Sequence, residues 1–141
     1  MPEATTRLVL DASALLAYLG DEQGADIVAD AIAGGATIST VNLAEALSTL
    51  ATRGEHPLSV VSDLTDRGLL DGAITVEPFT TADATEAARL RPLTRSAGLS
   101  LADRACLAVA HRLAAAVLTA DQAWGGLGLD VDLRAIRGPE Q

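Results

Sequence analysis

Four acidic residues hold positions from which carboxylates can do chemistry together. Asp11 closes the apolar run Leu8-Val9-Leu10, Asp121 follows Val117-Leu118-Thr119, Glu45 sits in the apolar-periodic stretch that starts at Thr40, and Asp103 lies near the start of a long apolar segment. Carboxylates brought within ~4 Å repel by about 1 kcal/mol in water and by several times that at protein-like screening. A converging set therefore needs a counter-charge. The sequence contains no Lys, and few of its arginines are near these motifs. A hard divalent cation is the natural counter-charge, since Mg²⁺ or Mn²⁺ prefers carboxylate and water oxygens in octahedral geometry. Such an ion acidifies bound water and neutralises charge developing on a phosphate, so metal-dependent phosphodiester hydrolysis is the reaction best served.

Each acid also has a plainer reading that the residues alone leave open. Asp11 can cap the helix that follows it. Asp103 can be a first-turn helix charge, with Ser100 as cap. On a helical wheel Glu45 points away from Leu43, Leu47 and Leu50, toward either solvent or a cleft. Asp121 can cap a turn leading to Trp124.

The elements that must position these acids follow from periodicity. Leu8 to Leu10 reads as a strand, followed by a helix through Leu15, Leu16 and Leu19 and a second from about Gln23 to Ala33, stopped by Gly34-Gly35. Ala36 to Ser39 is the next strand, and a helix with Val41, Leu43, Ala44, Ala46, Leu47 and Leu50 ends near Gly54. The pattern predicts a helix over 57–70, a strand over 73–76, helices over 81–95 and 100–115, and strands over 117–119 and 131–136. Strands alternating with helices predict an α/β fold, with a mainly parallel sheet of four to five strands covered on both faces. In such sheets ligands bind beyond the carboxyl ends of the strands, where strand order reverses, and Asp11 and Asp121 stand at such ends.

The bulk numbers narrow the function. A chain of 141 residues suits one domain spanning 1–141. Its apolar content is carried by Ala, Leu and Val, with Tyr18, Phe79 and Trp124 as aromatics, which suits helices lying closely on a sheet. The absence of Lys excludes a P-loop, a Schiff-base enzyme and a pyridoxal enzyme. A net charge of −9 argues against a protein that grips nucleic acid over its whole surface. Cys106 has no disulfide partner and no CxxC spacing for zinc, which predicts a reducing, cytoplasmic setting. Met1 to Arg7 lacks the basic start and apolar run of a signal peptide, and no apolar stretch reaches the ~20 residues that span a bilayer.

The order and context of the acids resemble the PIN-domain family. Leu8-Val9-Leu10-Asp11-Ala12-Ser13-Ala14-Leu15-Leu16 is similar to the start of that family, where a strand delivers an Asp followed by a small residue and a hydroxyl. Val41-Asn42-Leu43-Ala44-Glu45 resembles its second acidic position, the segment from Leu99 to Ala108 its third through Asp103, and Leu118-Thr119-Ala120-Asp121 its fourth. The resemblance covers nearly the whole chain and implies a three-layer α/β/α domain. Within the family, the length and motif details look most like the VapC toxins of bacterial toxin–antitoxin pairs. That likeness implies an Mg²⁺-dependent endoribonuclease, with Mn²⁺ as a substitute ion, neutralised by a VapB-type antitoxin. It implies Asp11, Glu45, Asp103 and Asp121 as metal-binding and catalytic acids, with Ser13 and Thr119 as supporting hydroxyls and Asn42 as a weaker supporting candidate.

Arg89, Arg91 and Arg95 cluster at one helix end and Arg104 follows Asp103, so these arginines are the candidates for RNA phosphate contact, against a plain reading as solvated residues that complement a helix dipole. Ala- and Leu-rich helix surfaces predict a homodimer. An antitoxin is expected to insert a basic side chain among the acids while apolar surface on the first helices holds it. The competing readings are a non-toxin PIN-like nuclease and a catalytically silent metal- or partner-binding α/β module. An adhesion-type metal module shares Asp11-Ala12-Ser13 but has Leu15 where its next hydroxyl belongs, and an aspartyl phosphotransfer domain would need a second acid at Ser13 and a Lys.

Overall fold

The computed structural model describes residues 7–121, 124 and 128–138. The leader-free reading of Met1 to Thr6 lies outside them. Five strands and six helices are formed among the described residues: β1 (Leu8–Leu10), α1 (Ala12–Leu19), α2 (Ala25–Ala33), β2 (Ala36–Ser39), α3 (Thr40–Thr52), α4 (Pro57–Asp66), β3 (Ile74–Glu77), α5 (Thr81–Thr94), α6 (Leu101–Arg112), β4 (Ala116–Thr119) and β5 (Leu133–Ala135). A single 3₁₀ turn at Arg95–Ala97 links α5 to α6.

The strands form one sheet in the order β3-β2-β1-β4-β5, and every pairing is parallel. Parallel strands require crossover connections, and helices supply those from β1 to β2, β2 to β3 and β3 to β4. The chain steps from β1 to β2 to β3 in one direction and then returns to place β4 on the other side of β1. The reversal of strand order therefore falls between β1 and β4, and a crevice at the carboxyl edge opens there.

Alternation along the strands sends side chains to two apolar layers. Leu10, Ile38 and Leu118 pack with Leu15, Val28, Ile32 and Leu64 from α1, α2 and α4. Val9 and Val117 face the other way, against Leu90, Cys106, Leu107 and Ala110 of α5 and α6. This is the three-layer α/β/α arrangement. Arg104 to Ala110 are all buried, as expected for a helix that is apolar nearly all round.

Most boundaries shift by a residue or two from the expectation, and three helix ends show a local cause. The expected helix runs to residue 70, but α4 stops at Asp66, where Gly68 turns left-handed (φ 77°) and Leu69 N–H folds back onto the Leu64 carbonyl at 2.9 Å. Leu70 then makes a bridge to Ile74 and is buried. At its far end α6 stops at Arg112, before a left-handed Ala114 (φ 52°). The start of α2 is Ala25, after a left-handed Gly24 (φ 95°).

Candidate metal centre

Asp11 is the residue where β1 gives way to α1. It is the N-cap of that helix, and its Oδ1 accepts the Ala14 N–H at 2.8 Å and the Ser13 hydroxyl at 2.7 Å. The plainer reading of Asp11 as a cap is thus present in the geometry. Yet the carboxyl is only 4% exposed, far more enclosed than a cap requires. Burial raises its pKa above the ordinary value, hydrogen bonds from Thr119, Ser13 and Ala14 partly offset that, and the charge of Asp103 raises it further.

The hydroxyls beside Asp11 tie two strand ends together. Ser13 Oγ donates to Asp11 and accepts the Ala120 N–H at 2.9 Å. Thr119, 2% exposed, accepts the Asp121 N–H on its own hydroxyl at 3.0 Å, and its Oγ1 lies 3.5 Å from Ser13 Oγ. The segment leaving β4 and carrying the exposed Asp121 is therefore fastened at the crevice beside Asp11.

Glu45 and Asp103 come from α3 and α6, which meet near the same edge. Asp103 is the N3 residue of a capping box: its Oδ2 accepts the Ser100 N–H at 2.9 Å and its own N–H donates to Ser100 Oγ at 3.1 Å. Glu45 is half-buried. Burial raises its pKa first, then the charges of Asp103 and Asp11. The Cys106 thiol, fully enclosed beneath, is pushed well up by burial and then by the charges of Asp11, Asp103 and Glu45.

The donor set fits a hard divalent cation in chemistry: carboxylate oxygens alone, a mutual repulsion that a cation would relieve, and no ammonium in the sequence to relieve it instead. The fit in geometry is incomplete. Among the described residues no three acidic, histidine or cysteine side chains already stand as a ready ligand set. The Asp103 carboxylate accepts the Ser100 N–H of its own helix start through Oδ2.

Asn42, a weak candidate from sequence, is fully buried and donates from Nδ2 to the Ala102 carbonyl at 2.9 Å. The four candidate arginines separate. Arg89 is exposed but forms a two-bond pair with Glu86, 2.6 and 2.8 Å long. Arg91 and Arg95 are exposed at the end of α5. Arg104 corrects the expectation: it is 8% exposed, its Nη1 donates to the Ala87 carbonyl at 2.8 Å, and it packs between α5 and α6 instead of facing a phosphate. Trp124 is 1% exposed in the layer with Val9 and Leu107.

Sequence reasoning gave Arg112 no role, although it joins three elements. It pairs with Glu77 at 2.8 Å and with the buried Asp83 at 2.9 Å, and donates to the Pro78 carbonyl at 3.1 Å. The Thr80-x-x-Asp83 spacing of a capping box is the local signal that could have located half of this network. A groove of about 550 Å³ lies between α1, α3 and α4, lined in part by Leu16, Leu19, Leu50, Val60 and Leu64 and by none of the four acids.

Among the described residues, no helix is long and apolar enough to cross a membrane. No curated protein sequence matches the chain. Several solved structures share its fold at low identity. FitAcB from Neisseria gonorrhoeae is similar with a TM-score of 0.67 and 19% identity, over 89% of this chain and 95% of that one. The DNA-bound VapBC from Salmonella typhimurium has a TM-score of 0.67 at 14% identity, over 94% of this chain and 100% of that one. Mycobacterium tuberculosis VapC20, described as a toxin that cleaves the sarcin-ricin loop, has a TM-score of 0.65 at 16% identity, over 89% of this chain and 98% of that one. The PIN domain family model matches residues 8–126, which contain all four acids and the strand-order reversal between them, and the chain belongs to the PIN domain family.

Proposed function

We propose that this protein is an Mg²⁺-dependent endoribonuclease of the VapC toxin type, with Mn²⁺ able to substitute. The observation that carries the reading is the placement of Asp11, 4% exposed at the carboxyl end of β1 and tied through Ser13 to the end of β4, where the strand order reverses. Asp11, Glu45, Asp103 and Asp121 would hold the cation. When bound, it supplies an acidified water and neutralises charge on the scissile phosphate.

The chain's own residues prepare that chemistry. Ser13 and Thr119 fix the Asp11 carboxylate and the backbone leading to Asp121 in one arrangement. In the reaction water adds to phosphorus in line with the departing ribose oxygen, and that P–O bond breaks. Arg91 and Arg95, exposed at the end of α5 that leads through a short turn to α6, are the arginines best placed to meet the RNA backbone, with Arg89 held by Glu86. Cleavage of a mixed RNA pool in Mn²⁺ tests the reading. D11N and D103N are each expected to abolish cleavage while circular dichroism stays that of the wild type, and retained cleavage in both would overturn it.

The regulatory half of the reading is a VapB-type antitoxin. Structures of similar fold include a toxin–antitoxin complex, and the groove along α1, α3 and α4, with leucines beside Arg53, Asp63 and Arg67, offers a surface for an amphipathic partner. Expression of the chain alone should arrest growth, and coexpression with the neighbour-encoded protein should restore it. Growth without arrest and no binding of that neighbour would count against the toxin assignment. We place the protein in the cytoplasm, where the lone buried Cys106 stays reduced, and as a homodimer, with Leu93 (54% exposed) and Leu101 (62% exposed) left uncovered at adjoining helix ends. Light scattering checks the dimer.

One observation favours a silent metal- or partner-binding module instead: the Asp103 carboxylate is occupied by its own helix start. A thermal shift with Mn²⁺ in the absence of RNA cleavage would select that reading.

A further inference from the structure

α3 and α6 each carry an acid near their first turns, and two carboxylates sharing a field push their helices apart. In the chain by itself something uncharged must hold these ends together. The bond between them runs through Asn42, one of the largest fully buried side chains in the molecule. Its backbone N–H donates to Ser39 Oγ at 3.0 Å, and its Oδ1 accepts the Ser39 hydroxyl proton at 2.5 Å. Its Nδ2 crosses to the Ala102 carbonyl at 2.9 Å. Ser39 is the last residue of β2 and the N-cap of α3, so the orientation of the amide is set from the sheet.

The chemistry of this bridge admits few substitutes. A carbonyl accepts and cannot donate, so the group facing Ala102 must be the NH₂ end of an amide. An Asp there would set oxygen against oxygen, and an apolar residue would remove the bond that joins α3 to the half-buried Ala102 carbonyl. Glu45 follows Asn42 by three residues and so lies on the same side of α3, while Asp103 is the residue after Ala102.

We propose that the chain Ser39–Asn42–Ala102 is a latch that holds Glu45 and Asp103 in register across α3 and α6, and that Asn42 is thereby a positioning residue of the acidic site. Its consequence for cation binding rests on the metal-centre reading above. The latch itself does not.

The test uses the full chain and two readouts: amide hydrogen exchange at Asp103 and Arg104, and Mn²⁺ affinity by electron paramagnetic resonance. N42A should speed exchange at those amides by about tenfold relative to the β4 amides, and weaken Mn²⁺ binding by about tenfold or more. S39A should do the same to a smaller degree, and it carries the test where N42A does not fold. Ile32→Ala in α2, a core change remote from the latch, should lower stability without either selective effect. Exchange that rises no more at Asp103 and Arg104 than in β4 would overturn the latch. Exchange that rises while Mn²⁺ affinity matches that of I32A would overturn the positioning role. A wild-type chain that binds no Mn²⁺ would overturn the metal-centre reading instead, and the exchange comparison would then decide the latch.

Discussion

Ser13 donates its hydroxyl proton to Asp11 across 2.7 Å, and the same oxygen accepts the Ala120 N–H at 2.9 Å. One hydroxyl therefore couples the end of β1 to the end of β4, the two strands between which the order reverses. Ser13→Ala removes both bonds and leaves a half-buried backbone donor without its acceptor. The expected loss is about 1–3 kcal/mol of stability, with RNA cleavage falling further than stability does. Ser13→Thr keeps the hydroxyl and should retain most activity. Denaturant titration and cleavage rates on the three proteins check this.

The raised carboxyls predict an unusual pH dependence for the metal-free protein. Burial lifts Asp11 and Glu45 above their ordinary values, helped by neighbouring carboxylates, so the folded state holds these protons more tightly than the unfolded chain. Their contribution to stability consequently declines as pH rises from the ordinary carboxylate values through the folded values, and the loss is complete above them. D11N, which has no charge to bury, should melt higher than the wild type at pH 7 in chelator, and the gap should close in acid. Adding Mn²⁺ should stabilise the wild type and reverse the order. Melting curves at several pH values, with and without Mn²⁺, decide it.

Arg112 predicts the opposite slope. Burial pushes Asp83 up, but hydrogen bonds from Arg112 and Thr80 more than reverse this and leave its pKa lowered. That stabilisation is present above the ordinary carboxylate value and is lost as pH falls through the folded value. Arg112→Met strands the nearly enclosed Asp83 and should cost about 2 kcal/mol at pH 7, less than for a fully buried pair because the guanidinium is 31% exposed. The difference between variant and wild type should shrink in acid, as urea unfolding at pH 7 and at low pH would reveal.

Two glycines with similar backbones should respond differently to alanine. Gly24 (φ 95°) is pressed against the end of the chain, and a Cβ there would fall 2.5 Å from the Ile136 carbonyl oxygen. Gly35 (φ 88°) has nothing within 4 Å of the same position. G35A should cost about 1–2 kcal/mol from left-handed strain alone. G24A should cost about 2–4 kcal/mol, because the clash adds to that strain. Equal losses in the two variants would show that the contact with Ile136 is soft.

Periodicity and punctuation in the chain determined most of the elements, because side-chain alternation in strands and turn chemistry at Gly34, Gly54 and Gly98 are local properties. The positions of Asp11, Glu45, Asp103 and Asp121 at strand ends and helix starts, and the lack of any Lys to balance them, were equally legible. Strand order was not: which side of β1 receives β4 depends on how two apolar layers close over both faces of the sheet, a long-range outcome that no short window encodes. The same burial decided that Arg104 packs against Ala87 rather than reaching outward, that Trp124 is covered, and that a buried amide at Asn42 spans 60 residues to Ala102. Residue types set what each group can do. Tertiary structure decided which groups meet, because only the folded chain excludes water from both sides of a contact at once.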